Sequence, residues 1–115
     1  MDEIEDLFEN ALNGDLAAQA NLGLIYLKRD TGPQDFQQGK YWLEKAARRG
    51  DTRALRVLAT CFQFGHYGFP QNQDIANHWW YMHHRQLKNR ADAGDNDAER
   101  AMKLLSDIAK EDRFK

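Results

Sequence analysis

A chain of 115 residues is enough for one small hydrophobic core and too short for two independent ones. Its 42% hydrophobic and 30% charged residues are those of an ordinary globular protein, and a net charge of −2 argues against the concentrated basic face of a dedicated nucleic-acid binder. No apolar run approaches the ~20 residues that span a bilayer, and the single Cys61 allows no intrachain disulfide, which fits a reducing compartment.

The chain opens with six acidic and no basic side chains before residue 16. A secretory leader needs a basic start and an apolar core, so the cytoplasm is the expected compartment. Ile4, Leu7, Phe8, Ala11 and Leu12 fall at i, i+3, i+4, i+7 and i+8, one face of a helix over 2–13. Asp2, Glu3, Glu5 and Asp6 load its first turn, where the helix dipole favours negative charge.

A helix over 15–28 follows, capped by Asp15. Leu16, Ala20, Gly23 and Leu27 share one side of it, and Ala18, Leu22, Ile25 and Tyr26 another. Two apolar sides are expected of a helix packed against both a partner and a neighbouring unit. Gly23 costs about 1 kcal/mol of helix propensity against Ala, so its reason is close helix contact. After the loop RDTGPQD, Asp35 caps a helix over 35–49, with Phe36, Tyr41 or Trp42, Leu43, Ala46 and Ala47 as its buried residues. A further helix over 51–64 buries Ala54, Leu55, Leu58, Ala59, Cys61 and Phe62.

The loop QFGHYGFPQN then sets three aromatics between two glycines. From about residue 73 the next helix runs past its expected end, so 85–93 is either two more turns of helix or a short loop near Asn89. Residues 95–110 make the last helix. Ala98, Ala101, Met102, Leu104, Leu105, Ile108 and Ala109 form its buried side, and Glu99, Arg100, Lys103, Asp107 and Lys110 its charged one.

These elements repeat. Gly-Asp pairs stand at Gly14-Asp15, Gly50-Asp51 and Gly94-Asp95. Gly ends one helix in the left-handed conformation and Asp caps the next. At an offset of 36, Ala18 meets Ala54, Leu22 meets Leu58, Gly23 meets Ala59 and Tyr26 meets Phe62. At 37, Pro33-Gln34-Asp35 meets Pro70-Gln71-Asn72 and Trp42 meets Trp79. A period in the thirties with size preserved at each match predicts a helical repeat array.

The residues Gly14, Asp15, Ala18, Gln19, Leu22, Gly23 and Tyr26, then Pro33-Gln34-Asp35, then Trp42, Lys45, Ala46, Ala47 and Gly50 resemble the Sel-one-like repeat, a relative of the tetratricopeptide repeat. The second unit departs from it with Leu55, Ala59 and His83-His84, and the third keeps Gly94, Asp95 and Ala98. The resemblance implies an all-α, right-handed α/α solenoid of antiparallel helix pairs, about six helices, that binds other proteins and is not an enzyme. The expected layout is one domain over 1–115: a capping helix 1–13, repeats 14–49 and 50–93, the second with an insertion, and a capping half-repeat 94–115.

For function, the expectation is a protein-binding adaptor. By the resemblance its A helices line the concave side, where Ala17, Asn21, Leu24 and Lys28 align with Arg53, Val57, Thr60 and Phe64. An immunity protein that neutralises a bacterial toxin is the compact alternative. Phe64, Tyr67, Phe69, Trp80 and Tyr81 exceed what packing requires, so they either expose a contact surface or fold inward to fill a gap. The basic run Lys40, Lys45, Arg48, Arg49, Arg53 and Arg56 is a solvated face or, on the sharper reading, meets an acidic protein partner. His66, His78, His83 and His84 lack the i, i+4 spacing of a metal site, so no metal or cofactor is expected; a metal-dependent enzyme using His78, His83 and His84 is the remote alternative.

Overall fold

The computed structural model describes residues 3–29 and 32–113, with side chains as far as Ile108. Asp2, the loop residues Asp30 and Thr31, and the side chains of Ala109 and Lys110 lie outside the described residues. Among those described, six helices follow one another without a strand: α1 (Glu3–Leu12), α2 (Leu16–Arg29), α3 (Pro33–Arg48), α4 (Thr52–Phe64), α5 (Gln73–Asp92) and α6 (Asn96–Arg113). A single 3-10 turn, His66–Gly68, lies between α4 and α5.

The three Gly-Asp pairs punctuate this string in the same way each time. Gly14, Gly50 and Gly94 take φ of 95°, 92° and 94°, a region open to glycine at little cost. Their amides donate to Ala11, Ala47 and Ala91, and the amides of Asp15, Asp51 and Asp95 reach back to the carbonyls of Asn10, Ala46 and Arg90. That paired pattern closes a helix C-terminus. Each Asp then turns forward, its carboxylate accepting from Ala18, Ala54 or Ala98 at 2.9, 3.0 and 3.0 Å to start the next helix. One dipeptide thus ends the second (B) helix of one pair and begins the first (A) helix of the next.

Consecutive helices pack against each other in order, α1 on α2 through α5 on α6. The α2–α3 pair runs antiparallel: Gly23 faces Leu43 and Gly39, while Leu27, one turn on, faces Gly39. The body measures 50 × 33 × 18 Å. Its thin dimension is that of two helix layers, at about 10 Å per helix.

Two neighbouring clusters make up the core between the layers. The larger runs from Ala20, Leu27 and Leu43 through Leu55, Leu58 and Phe62 to Ala76 and Trp79. The smaller gathers Ala11, Ala18, Leu22 and Trp42, with Ile4, Leu7 and Tyr26 against it. Trp42 and Trp79 are both buried, at 2% and 9% exposure, and Tyr41 is the outward neighbour of the first. Buried Gln19 joins the first two units. Its Nε2 donates to the Ala11 carbonyl at 3.1 Å, and its Oε1 accepts from Arg49, which also caps the Gly14 carbonyl at 2.7 Å.

Several expectations need correcting. Asp35 does not cap α3. The helix starts at Pro33, whose fixed φ and missing N–H suit a first turn, so Asp35 falls inside that turn with its carboxylate 3.9 Å from Arg29. In the second unit Pro70 stays outside the helix, which starts at Gln73 with Asn72 accepting from the Ile75 amide at 3.1 Å. Phe69 makes the difference: it is extended before the proline and driven into the core, its ring edge-on to Phe62 at 5.0 Å. Residues 85–92 resolve as helix, because α5 runs unbroken to Asp92. On α6, Leu104, Leu105 and Ile108 are exposed rather than buried, while Ala98 is buried and Ala101 and Met102 are half-buried.

Candidate functional site

The A helices α2, α4 and α6 carry residues that line two surface hollows over the larger core. Between α2 and α4 lies a hollow of about 290 Å³ with an apolar floor, Leu24, Leu27, Val57 and Cys61, and Thr60 beside it. Lys28 and Arg56 stand at its sides and His66 and Tyr67 at its end. Thr60 Oγ1 donates to the Arg56 carbonyl at 2.8 Å, so its methyl is left for the hollow. Arg53 bridges the two helices, its Nη1 donating to Asn21 Oδ1 at 2.9 Å and its Nη2 lying 3.8 Å from Asp51.

A second hollow of about 400 Å³ opens beyond Arg56, towards α5 and α6. Arg53, Trp80, His83 and Leu87 form one side and Ala101, Leu104 and Leu105 the other. Trp80 is tethered here, its Nε1 donating to Gln63 Oε1 at 3.0 Å and its ring edge-on to His83 at 5.6 Å. Burial first, then the neighbouring Arg56 and His84, push the His83 imidazole below its ordinary 6.5. His83 is therefore neutral at physiological pH, and the standing positive charge of this hollow comes from the two arginines.

Of the residues singled out in the sequence, Leu24, Lys28, Arg56, Val57, Thr60 and Tyr67 meet around the first hollow. Arg53 and Trp80 sit on the second. Phe64 is 58% exposed and stacks on His66 at 5.6 Å, just outside both. Tyr81 is exposed but lies about 100° round the helix from Trp80 and lines neither hollow. The five aromatics therefore divide: Phe64, Tyr67 and Tyr81 face outward, Trp80 is half-buried, and Phe69 fills the core.

Tyr67 alone among the described non-glycine residues has positive φ, 54° with ψ 39°. Left-handed backbone disfavours a side chain with a Cβ, so the conformation is held by its surroundings. Phe36 meets the Tyr67 ring edge-on at 6.0 Å from one side and His66 at 6.2 Å from the other. Held so, the phenol stands between the first hollow and a further one of about 410 Å³ floored by Phe36, Lys40 and Phe69.

Among the described residues no three of His, Cys, Asp and Glu come close enough together to hold a metal ion. Burial pushes the Cys61 thiol up from 9.0 to about 11, which makes it a poor nucleophile and a poor ligand at neutral pH. His78, His83 and His84 do not converge: His78 packs on Trp79 at 5.0 Å, His83 on Trp80, and His84 is exposed.

The profile of the Sel1 repeat matches residues 16–51 and 52–82, more than half of the chain. The chain belongs to the Sel1 repeat family. Sel1 repeats generally mediate protein–protein interaction. No curated protein and no solved structure matches this chain. No helix among the described residues is long and apolar enough to cross a membrane.

Residues missed in the sequence are Leu87, Ala101, Leu104 and Leu105, which line the second hollow. The signal was present in the third Gly-Asp pair. Carrying the register from Asp51 to Asp95 sets Ala101 on Val57, Leu104 on Thr60 and Ile108 on Phe64. Val57 and Thr60 line the first hollow, so the register points to their counterparts on α6.

Proposed function

We propose that this Sel1 repeat chain is a non-catalytic adaptor that holds another protein against the face made by α2 and α4, with Phe64 and Tyr67 at its edge. One observation carries the reading. Where the two repeats are superimposed, Ala18 with Ala54, Leu22 with Leu58 and Gly23 with Ala59 keep their size and are all buried, whereas Ala20 and Leu27 give way to Arg56 and Gln63. Face positions change: Asn21, Leu24 and Lys28 become Val57, Thr60 and Phe64. Packing therefore holds the Ala18, Leu22 and Gly23 positions small or leucine in both repeats and leaves the face free to carry specificity. The apolar floor with charged sides that results is the usual anatomy of a contact surface.

The test is photo-crosslinking in the native cell with a photoreactive amino acid at Val57, and in parallel at Tyr41 on the outer side of α3. A protein joined through residue 57 and not through residue 41 supports the reading. Equal labelling at both, or none at residue 57, overturns it.

A further inference from the structure

We infer that the binding face continues across α6 and accepts an acidic, apolar-studded segment of the partner, about six residues long when extended. The inference rests on the reading of the α2–α4 face as the contact surface and adds its extent and the chemistry of its occupant. About six extended residues at about 3.3 Å each cover about 20 Å, the width of two helices of about 10 Å.

The extent follows from register. On α2, Gly23 and Leu27 face the B helix of the pair. Their counterparts on α6 are Lys103 and Asp107, both exposed and charged. The side of α6 that a following B helix would cover is thus already polar, and its exposed leucines do not belong to it. Leu104 (61% exposed) and Ile108 (47% exposed) stand in register with Thr60 and Phe64, on the ligand side. Arg56 lines both hollows, so the two are neighbours on one surface.

The occupant follows from charge. The two hollows are lined by Lys28, Arg53 and Arg56 and by no carboxylate, in a chain whose net charge is −2. Asp51 caps α4 and lies by Arg53, and Asp97, on α6 one turn before Ala101, is exposed and lines neither hollow. Cations above an apolar floor recognise a segment that alternates carboxylates with aliphatic or aromatic side chains, and they disfavour a basic one.

The probes are labelled peptides of that length, one alternating glutamate with leucine and one alternating lysine with leucine, with binding read by fluorescence anisotropy. The glutamate peptide should bind at least about tenfold more tightly than the lysine peptide. Arg56→Glu and Leu104→Asp should each weaken it about tenfold, while Lys45→Glu on α3 leaves it unchanged. Arg56 and Leu104 are both exposed, so the variants keep the fold, which circular dichroism checks. Equal binding of both peptides, no binding of the glutamate peptide, or an unaffected Leu104→Asp each overturns the inference. If residue 57 still crosslinks a protein when the glutamate peptide fails, the adaptor reading stands and only the acidic occupant falls. If residue 57 crosslinks nothing, the adaptor reading itself falls.

Discussion

Gly23 and Gly39 face each other across the α2–α3 interface so closely that neither has room for a methyl group. A Cβ on Gly23 would lie 2.7 Å from Leu43 Cγ and 3.1 Å from the Gly39 carbonyl oxygen; one on Gly39 would lie 2.7 Å from Leu27 Cδ2 and 3.0 Å from the Gly23 carbonyl. The second repeat carries Ala59 and Ala76 at the same two places, both fully buried. Small pairs with small in each repeat, and the closer approach is made in the first.

Gly23→Ala and Gly39→Ala should therefore each destabilise the fold. Alanine gains about 1 kcal/mol of helix propensity, but overpacking against backbone as well as side chain costs about 1–3 kcal/mol. The net loss should appear as a lower urea midpoint with an unchanged slope. A gain in stability at either position would mean that the helices separate without penalty.

Asp95 is the cap whose charge can be read by titration. The Ala98 amide first, then the Arg90 guanidinium at 2.7 Å, hold its carboxyl below the ordinary 3.8. A folded value below the unfolded one stabilises the fold above pH 3.8, and the contribution is lost as the pH falls through the lowered folded value. The Ala98 amide resonance should move in that acid range in the wild type. In Asp95→Asn, which caps without titrating, it should stay still. The same step in both proteins would place the titration elsewhere.

The helices were legible because their signals are local. Periodicity marked the core of α2 and α4, and the Gly-Asp pair marks a change of direction wherever it falls, so the three junctions agree to within a few degrees of φ. What depended on tertiary context was read less well. Whether Phe69 or Tyr67 turned inward could not be decided by counting aromatics, because the proline after Phe69 and the left-handed turn at Tyr67 set those directions. The α6 leucines looked buried because apolar periodicity reveals a shared face but not whether anything covers it. Register with the earlier repeats carried that information.

Trp42 offers a way to separate burial from hydrogen bonding. Its Nε1 is buried without a hydrogen-bond partner among the described residues. An orphaned N–H costs about 1–3 kcal/mol, which offsets part of the stability the ring supplies. Trp42→Ala should lose about 3–5 kcal/mol and unfold much of the protein at ambient temperature. Trp42→Phe keeps much of the ring, including the edge contact with Phe8 at 6.0 Å, and removes the orphan. It should stay within about 2 kcal/mol of the wild type by chemical denaturation. Equal losses in both variants would show that the N–H has a role that its surroundings do not reveal.

Tyr67 should affect partner capture more than stability. At φ 54° and ψ 39° its backbone is strained, by about 1–2 kcal/mol for a residue with a Cβ, and glycine relieves that strain. Against this, Tyr67→Gly loses the half-exposed ring and its edge contacts with Phe36 and His66, each worth about 0.5–1.5 kcal/mol. Strain relief offsets part of this loss, so the melting temperature should fall by less than in Tyr67→Ala, which loses the ring and keeps the strain. Partner capture through Val57 should fall, because the phenol at the end of the α2–α4 hollow is gone. Tyr67→Phe keeps the ring and the strain, and it separates the contribution of the hydroxyl from that of the ring. If Tyr67→Gly crosslinks as well as the wild type, the strained turn serves the packing of Phe69 and Phe36 and not the partner.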